Sequence, residues 1–319
     1  YNTTGLVATA EMAFIQDATG RLILRGVLLS PDGTRETFSL VSKYYNDTWR
    51  KPTEFRSPSK YTYLAASPTT DSLAVPAGDA IGYGSISSTG KVIIKGWSNA
   101  GYKYTYKGYL QNGNQVGLPG NADFQAGNYG TIPFYARTYG ESSKKSTSRN
   151  EWMVGIIRYD MSGAVESVDG RIRYVKPASN SRYYPAGFDQ NIEMKGSKYS
   201  RTGFAAIPVN GFELFANNAL GSFEGSLLDN SEFTPYVFTW NSKGYMKVPS
   251  NFTVYKKGRM RNKHGFFTSK LIDYVTGKRA SIRGVVLQNR GVVSGHALNS
   301  SGVSVRHSIS PNETGAVTP

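Results

Sequence analysis

Cysteine is absent from all 319 residues, which excludes a disulfide framework, a thiolate nucleophile and any Cys-ligated metal. Histidine is nearly as scarce. His264, His296 and His307 are the whole complement, and none stands at a metal-ligand spacing such as His-x-x-x-His. No apolar run reaches the roughly 18 residues of a membrane-spanning helix, and no helical periodicity extends over about ten residues. An outer-membrane barrel leaves a weaker trace, yet strand faces bearing Lys91, Lys95, Lys103 and Lys107 would make poor lipid contacts. No Gly-x-Ser-x-Gly nucleophile elbow occurs. These absences predict no cofactor and no metal, and they leave no catalytic signature.

What the chain has instead is glycine and tyrosine. It carries 35 Gly and 22 Tyr, with aromatics at 13% and charged residues at only 18%. Glycine serves turns and tyrosine suits half-buried pleated surfaces, so the composition predicts an all-β protein. The length allows one large β domain or two to three smaller ones. The formal charge of +15 favours anionic partners.

One stretch organises the rest. Gly90-Lys91-Val92-Ile93-Ile94-Lys95-Gly96 repeats in kind at Gly20-Arg21-Leu22-Ile23-Leu24-Arg25-Gly26, and again, aligned on its last glycine, at Arg279-Ala280-Ser281-Ile282-Arg283-Gly284. Each is the middle strand of an expected meander. Around the first copy, strands over 80–87, 91–98 and 102–111 are separated by Ser88-Thr89-Gly90 and Asn99-Ala100-Gly101. The others cover 6–45 and 265–298, and a hairpin joins 151–160 to 171–175. Period-two alternation puts Val92 and Ile94 on one side, and Lys91, Ile93, Lys95 and Trp97 on the other. The terminal glycines are expected to permit a bulge or a sharp coil. The result is one or two barrels or sandwiches of antiparallel meanders, with a first domain over 1–200 and a second over 201–319.

The densest charge is Lys256, Lys257, Arg259, Arg261 and Lys263, ahead of His264 and flanked by Tyr255, Phe266 and Phe267. Basic residues beside aromatics suit an anionic polymer, and these five are the candidate anion- or glycan-binding residues. Lying between strand candidates, the run reads as a hairpin tip. Acidic glycan ranks above nucleic acid because no nucleic-acid motif accompanies it. For glycoside cleavage, a carboxylate pair would have to come from Glu166, Asp169, Glu193, Glu224, Asp229 and Asp273. Tyr102, Tyr104, Tyr106 and Tyr109 suit either sugar stacking or cross-strand packing. Asn2, Asn46, Asn251, Asn299 and Asn312 begin glycosylation sequons.

The order of several short motifs resembles a known module: Pro76-Ala77-Gly78-Asp79 with Gly82-Tyr83-Gly84, then Tyr174-Val175-Lys176-Pro177, Tyr184-Pro185-Ala186-Gly187-Phe188, Gly196-Ser197-Lys198-Tyr199 and Gly284-Val285-Val286-Leu287-Gln288. It is similar to a glycine-punctuated β-repeat of large secreted or surface proteins in planctomycete and verrucomicrobial bacteria. The resemblance implies an exported, β-rich, non-enzymatic module and offers no catalytic residues. A chain opening on Tyr1 suits a mature protein after leader removal. The leading expectation is a structural subunit of an extracellular or cell-surface assembly, partnered by its own copies or other surface proteins. The alternatives are a binder of acidic polysaccharide and a glycan-cleaving enzyme.

Overall fold

In the repeated motif, every second residue is aliphatic, alanine or glycine and the residues between include two basic ones, so the strand has two unlike faces. The computed structural model describes residues 9–16, 22–29, 33, 35–41, 59–69, 72–112, 129–139, 151–160, 167–179, 183–199, 219–224, 236–240, 245–247, 255–261, 263–272, 277, 279–299 and 302–311. Among them every regular element is a strand apart from one 3-10 turn at Gln288–Arg290. All pairings are antiparallel, as expected of an all-β chain of meanders. The boundary expected at 200–201 lies outside the described residues.

A three-stranded sheet comes first, in the order β1 (Thr9–Gln16), β2 (Leu22–Leu29), β3 (Arg35–Val41). The second sheet contains β4 (Ser59–Ala66), β5 (Ala80–Ile86), β6 (Lys91–Trp97), β7 (Lys103–Tyr109), β8 (Gln111–Asn112), β9 (Tyr129–Tyr139), β10 (Trp152–Asp160), β11 (Ser167–Lys176) and β12 (Phe188–Lys198). Its order is β10-β11-β12-β4-β5-β6-β7-β9-β8, and β10 also pairs with β9. That last pairing closes β4 to β7 and β9 to β12 into an eight-stranded barrel, with the two-residue β8 attached to β9. The third sheet runs β15 (Met246–Lys247), β14 (Tyr236–Trp240), β13 (Ala219–Glu224), β20 (Ser304–Pro311), β19 (Val292–Leu298), β18 (Arg279–Leu287), β17 (Phe266–Ile272), β16 (Tyr255–Arg261). An isolated bridge from Tyr245 to Arg259 brings its two ends together.

The alternation of β6 is realised in the first barrel. Val92 and Ile94 are fully buried, Lys91 and Lys95 are exposed, and Ile93 and Trp97 lie between. The turns before and after β6 use Gly90 and Gly101 at φ 73° and 88°, where a side chain would be strained. The interior is rich in phenols: Tyr61, Tyr63, Tyr104, Tyr159 and Tyr174 are buried there with Phe134. Tyr63 and Tyr159 share a 2.9 Å hydrogen bond between hydroxyls, so neither polar tip is stranded. Tyr104 and Tyr106 therefore pack inside the barrel and are not presented to sugars.

The motif glycines do something other than bulge. The register runs unbroken through Gly96 and Gly284 on both sides. A Cβ on Gly96 would stand 2.1 Å from the Ile81 carbonyl oxygen and 2.6 Å from the Tyr104 hydroxyl. That hydroxyl donates across the glycine to the same carbonyl at 3.1 Å. The glycine is thus a seat for a crossing phenol.

The two large sheets meet outer face to outer face. Leu64 and Ile81 pack with Phe266, Val285 and Leu287, joined by Tyr83, Trp97 and Val292. Trp97 lies flat on Phe266, with ring centroids 4.7 Å apart. Beside this apolar contact sits a buried polar knot. Asp79 accepts from Arg306 Nε at 3.1 Å to each oxygen, from the Ser67 amide at 3.1 Å and from Ser294 Oγ at 3.2 Å. Arg306 Nη2 donates to the Ser67 carbonyl at 2.9 Å, and His296 Nδ1 lies 2.8 Å from the Asp79 carbonyl. Gly78 lets these backbones meet, since a Cβ there would fall 2.5 Å from His296 Cβ and 2.5 Å from Ser304 Oγ.

Candidate anion-binding face

Barrel closure sends alternate residues of each strand inward and leaves the others outside. On β4 to β7 the outward positions therefore follow from register. Lys60, Thr62 and Leu64 of β4 stand across from Ser85, Tyr83 and Ile81 of β5, which stand across from Ile93, Lys95 and Trp97 of β6. On β7 the next positions are Lys107, Thr105 and Lys103, with Tyr109 opposite Lys91. No Asp or Glu occupies any of them, but Thr62, Leu64 and Ile81 are buried against the third sheet, so the open part of the face is carried by Lys60, Tyr83, Ser85, Lys91, Ile93, Lys95 and the β7 positions. Adjacent strands lie about 4.8 Å apart and residues rise about 3.4 Å each. The backbones of Lys60 and Lys107 are therefore about 14 Å apart across the face, and those of Lys91 and Lys95 about 14 Å apart along it.

The third sheet extends the face. The run expected to be a hairpin tip is itself β16 as far as Arg261, with a register shift between Lys256 and Arg259, and of the described residues Lys263 to Gly265 form the turn. The expectation failed because basic residues have modest β propensity while neighbouring strands dictate the pairing. Met260 is buried, and Arg259 and Arg261 point outward and are exposed. Arg259 stacks over the Tyr245 ring at 4.9 Å, toward β15. Arg261 and Lys263 flank His264 on the side nearer the first barrel. Lys60 Nζ reaches across to the Lys263 carbonyl at 3.3 Å. For Lys256 and Lys257 the backbone path alone is described.

His264 marks where the two sources of charge converge. Its ring lies 4.7 Å from the ring of Tyr83, and Tyr83 borders Trp97 and Phe266. Burial first, then the positive charges of Lys263, Lys60, Lys95 and Arg261, hold its pKa below the ordinary histidine value. Among the described residues none of those four cations forms a salt bridge. The structure thus joins Lys95 of the repeated motif to part of the basic run. Sequence reasoning found both halves but missed Lys60 and Tyr83, whose one signal was sharing the outward phase of their strands.

The other sequence candidates separate. Asp169 is held by Arg158 at 2.9 Å and Glu193 lies 3.5 Å from Lys195, both on the outer face of the first barrel. The side chain of Glu224 is not described, and Glu166, Asp229 and Asp273 lie outside the described residues. His296 and His307 are buried, and no cluster of metal-ligating residues occurs among the described ones. Asn299 is 5% exposed and its Oδ1 accepts from the Val303 amide at 2.9 Å, so that sequon is committed to a turn. Asn2, Asn46, Asn251 and Asn312 lie outside the described residues.

No protein-family profile and no curated protein matches the chain. Among solved structures, the chain is similar to the endo-1,5-α-L-arabinanase of Thermotoga petrophila RKU-1, with 14% identity over 93% of this chain and 82% of that one, at a TM-score of 0.21. The expectation of a non-enzymatic structural subunit in a surface assembly is corrected on this finding: the matching structure is that of an arabinanase. A TM-score of 0.21 transfers neither that protein's fold nor its activity.

Proposed function

We propose that this chain binds an extended acidic polysaccharide along the open part of the outer face of β4 to β7, from Lys60 and Lys95 to the lysines of β6 and β7, and across the junction to Arg261 and Lys263. The observation that carries the reading is geometric: Lys60 reaches the Lys263 carbonyl at 3.3 Å, the His264 ring lies 4.7 Å from Tyr83, Tyr83 stands opposite Lys95, and no acid occupies the outward positions of four adjacent strands. Like charges this close repel, so an anion that neutralises them gains more than the sum of isolated contacts. The lysines of β6 and β7 continue the positive surface away from the junction, giving a polymer more than one point of attachment. The resemblance to modules of secreted and surface proteins favours an extracellular setting, where the ligand is glycan.

The test is retention on an immobilised sulfated polysaccharide under a salt gradient. Wild type is expected to bind at physiological ionic strength and to elute as salt screens the contacts. Changing Lys60, Lys95, Arg261 and Lys263 together to Ser should abolish most of that retention. A charge-matched control with the exposed Arg171, Lys270, Arg279 and Arg290 changed to Ser should lose little. Equal elution of the two variants would show that only net charge matters and would overturn the reading.

A further inference from the structure

His264 is the one histidine of the chain at this face; the other two are buried elsewhere. The groups around it come from four strands and its own turn. Tyr83 of β5 lies against its ring, Lys60 of β4 reaches the carbonyl of the preceding Lys263, Lys95 of β6 stands opposite Tyr83, and Arg261 and Lys263 flank it in sequence. Phe266, which follows on β17, packs against the same Tyr83. Every charged group in that set is positive.

We propose that His264 takes up a proton when an acidic polysaccharide binds, so that attachment tightens as the surroundings acidify. This inference rests on the polyanion reading above and adds its regulation. In the free protein partial burial, and after it the four cations, disfavour an imidazolium. A bound polyanion reverses the local field, because its charges neutralise those cations and attract a fifth. By linkage, a ligand that raises proton affinity must itself bind more tightly when protons are plentiful. The proton comes from solvent and no bond to the polymer forms.

His296 and His307 stay out of this equilibrium. Burial, followed by Arg283 for His296 and by His296 for His307, lowers each to about 3. Proton-linked binding between about pH 5 and 8 by a histidine thus points to His264.

The test uses dextran sulfate, whose sulfate esters do not titrate in this range, and follows binding to the full chain from about pH 8 to about pH 5.5 by calorimetry. Affinity should rise toward acid by up to about tenfold per pH unit, the limit for one proton. Runs at about pH 6.5 in buffers of different ionisation enthalpy should report net proton uptake, and the His264 NMR titration should move to higher pH with ligand. His264→Gln should bind with a nearly flat pH profile. Flat wild-type affinity, an unmoved His264 titration, or a sloping profile in a folded His264→Gln variant would overturn the inference while leaving the binding face standing. Absence of wild-type binding at any pH would instead remove the polyanion reading itself. Should the variant fail to fold, the wild-type proton uptake and NMR titration decide alone.

Discussion

Replacing Asp79 by Asn should loosen the junction between the two large sheets without altering any side-chain volume. The Asp79 side chain is 2% exposed and that of Arg306 21%, and the carboxylate accepts from three donors. An amide keeps one acceptor oxygen and turns the other position into a donor aimed at Arg306 or Ser294. About two charge-assisted hydrogen bonds are lost, each worth about 1.5–3 kcal/mol, and a guanidinium is left without its counter-charge. Breaking a buried pair by removing one partner costs about 3–5 kcal/mol; the exposure of Arg306 scales this to about 3 kcal/mol. Urea denaturation followed by tryptophan fluorescence is the assay, because Trp97 lies in the apolar contact beside the knot. A midpoint lower by about 1 M is expected. The double variant Asp79→Asn with Arg306→Met should recover much of the loss, since it removes the orphaned charge. A midpoint unmoved by Asp79→Asn, or a double variant whose losses simply add, would refute the account of a coupled buried pair.

Three further outcomes follow from the interior. Gly96→Ala forces a Cβ to 2.1 Å from the Ile81 carbonyl and should destabilise by at least about 2 kcal/mol in the same denaturation assay, more than Ala at an ordinary strand glycine. Burial pushes Tyr106 up to about 12 and raises Tyr63, Tyr104, Tyr159 and Tyr174 still further. The folded chain therefore holds phenolic protons that an unfolded chain releases near pH 10: stability is full below that value and falls above it, and phenolate absorbance should rise together with unfolding. His296 and His307, lowered to about 3 by burial, work in the opposite direction. Their neutral forms contribute full stability above about pH 6.5, and each loses about 1.4 kcal/mol per pH unit as acid protonates the unfolded chain, which acid-unfolding curves of His307→Gln should show as a shallower decline.

The meander β5-β6-β7 was legible because turn glycines and alternation agree within one short window, and Gly265 to Leu298 was legible for the same reason. By contrast β9, β12 and β20 escaped notice. In β9, Pro133 argues against a strand because it has no N–H to donate. The structure tolerates it because β7 pairs only with Thr138 and Tyr139, and β8 only with Gly130 and Thr131. Pro133 thus lies where β9 has a partner, β10, on one side alone. In β12 the alternation exists, with Phe188, Gln190, Ile192 and Met194 buried and Asp189, Asn191 and Glu193 exposed, but its outward residues have poor strand propensity. The candidate face was half visible. Lys95 and Arg261 each stood out, while their meeting depends on which outer faces mate, and no local pattern encodes that.

The closures of the two barrels are unequal. In the first, β9 and β10 pair without a break from Trp152 opposite Arg137 to Asp160 opposite Tyr129, and its shortest seam, β7 with β9, still holds two consecutive pairs. In the second, the described closure is the single bridge of Tyr245 to Arg259, backed by the stacking of that guanidinium on that ring. A cylinder joined by a zip on one side and a button on the other opens at the button. The ladder of the second barrel should therefore breathe from β15 and β16 outward, exchanging its amide hydrogens there before β18 to β20 release theirs. Arg259, read first as one charge in a basic run, is in mechanical terms the fastener of that wall.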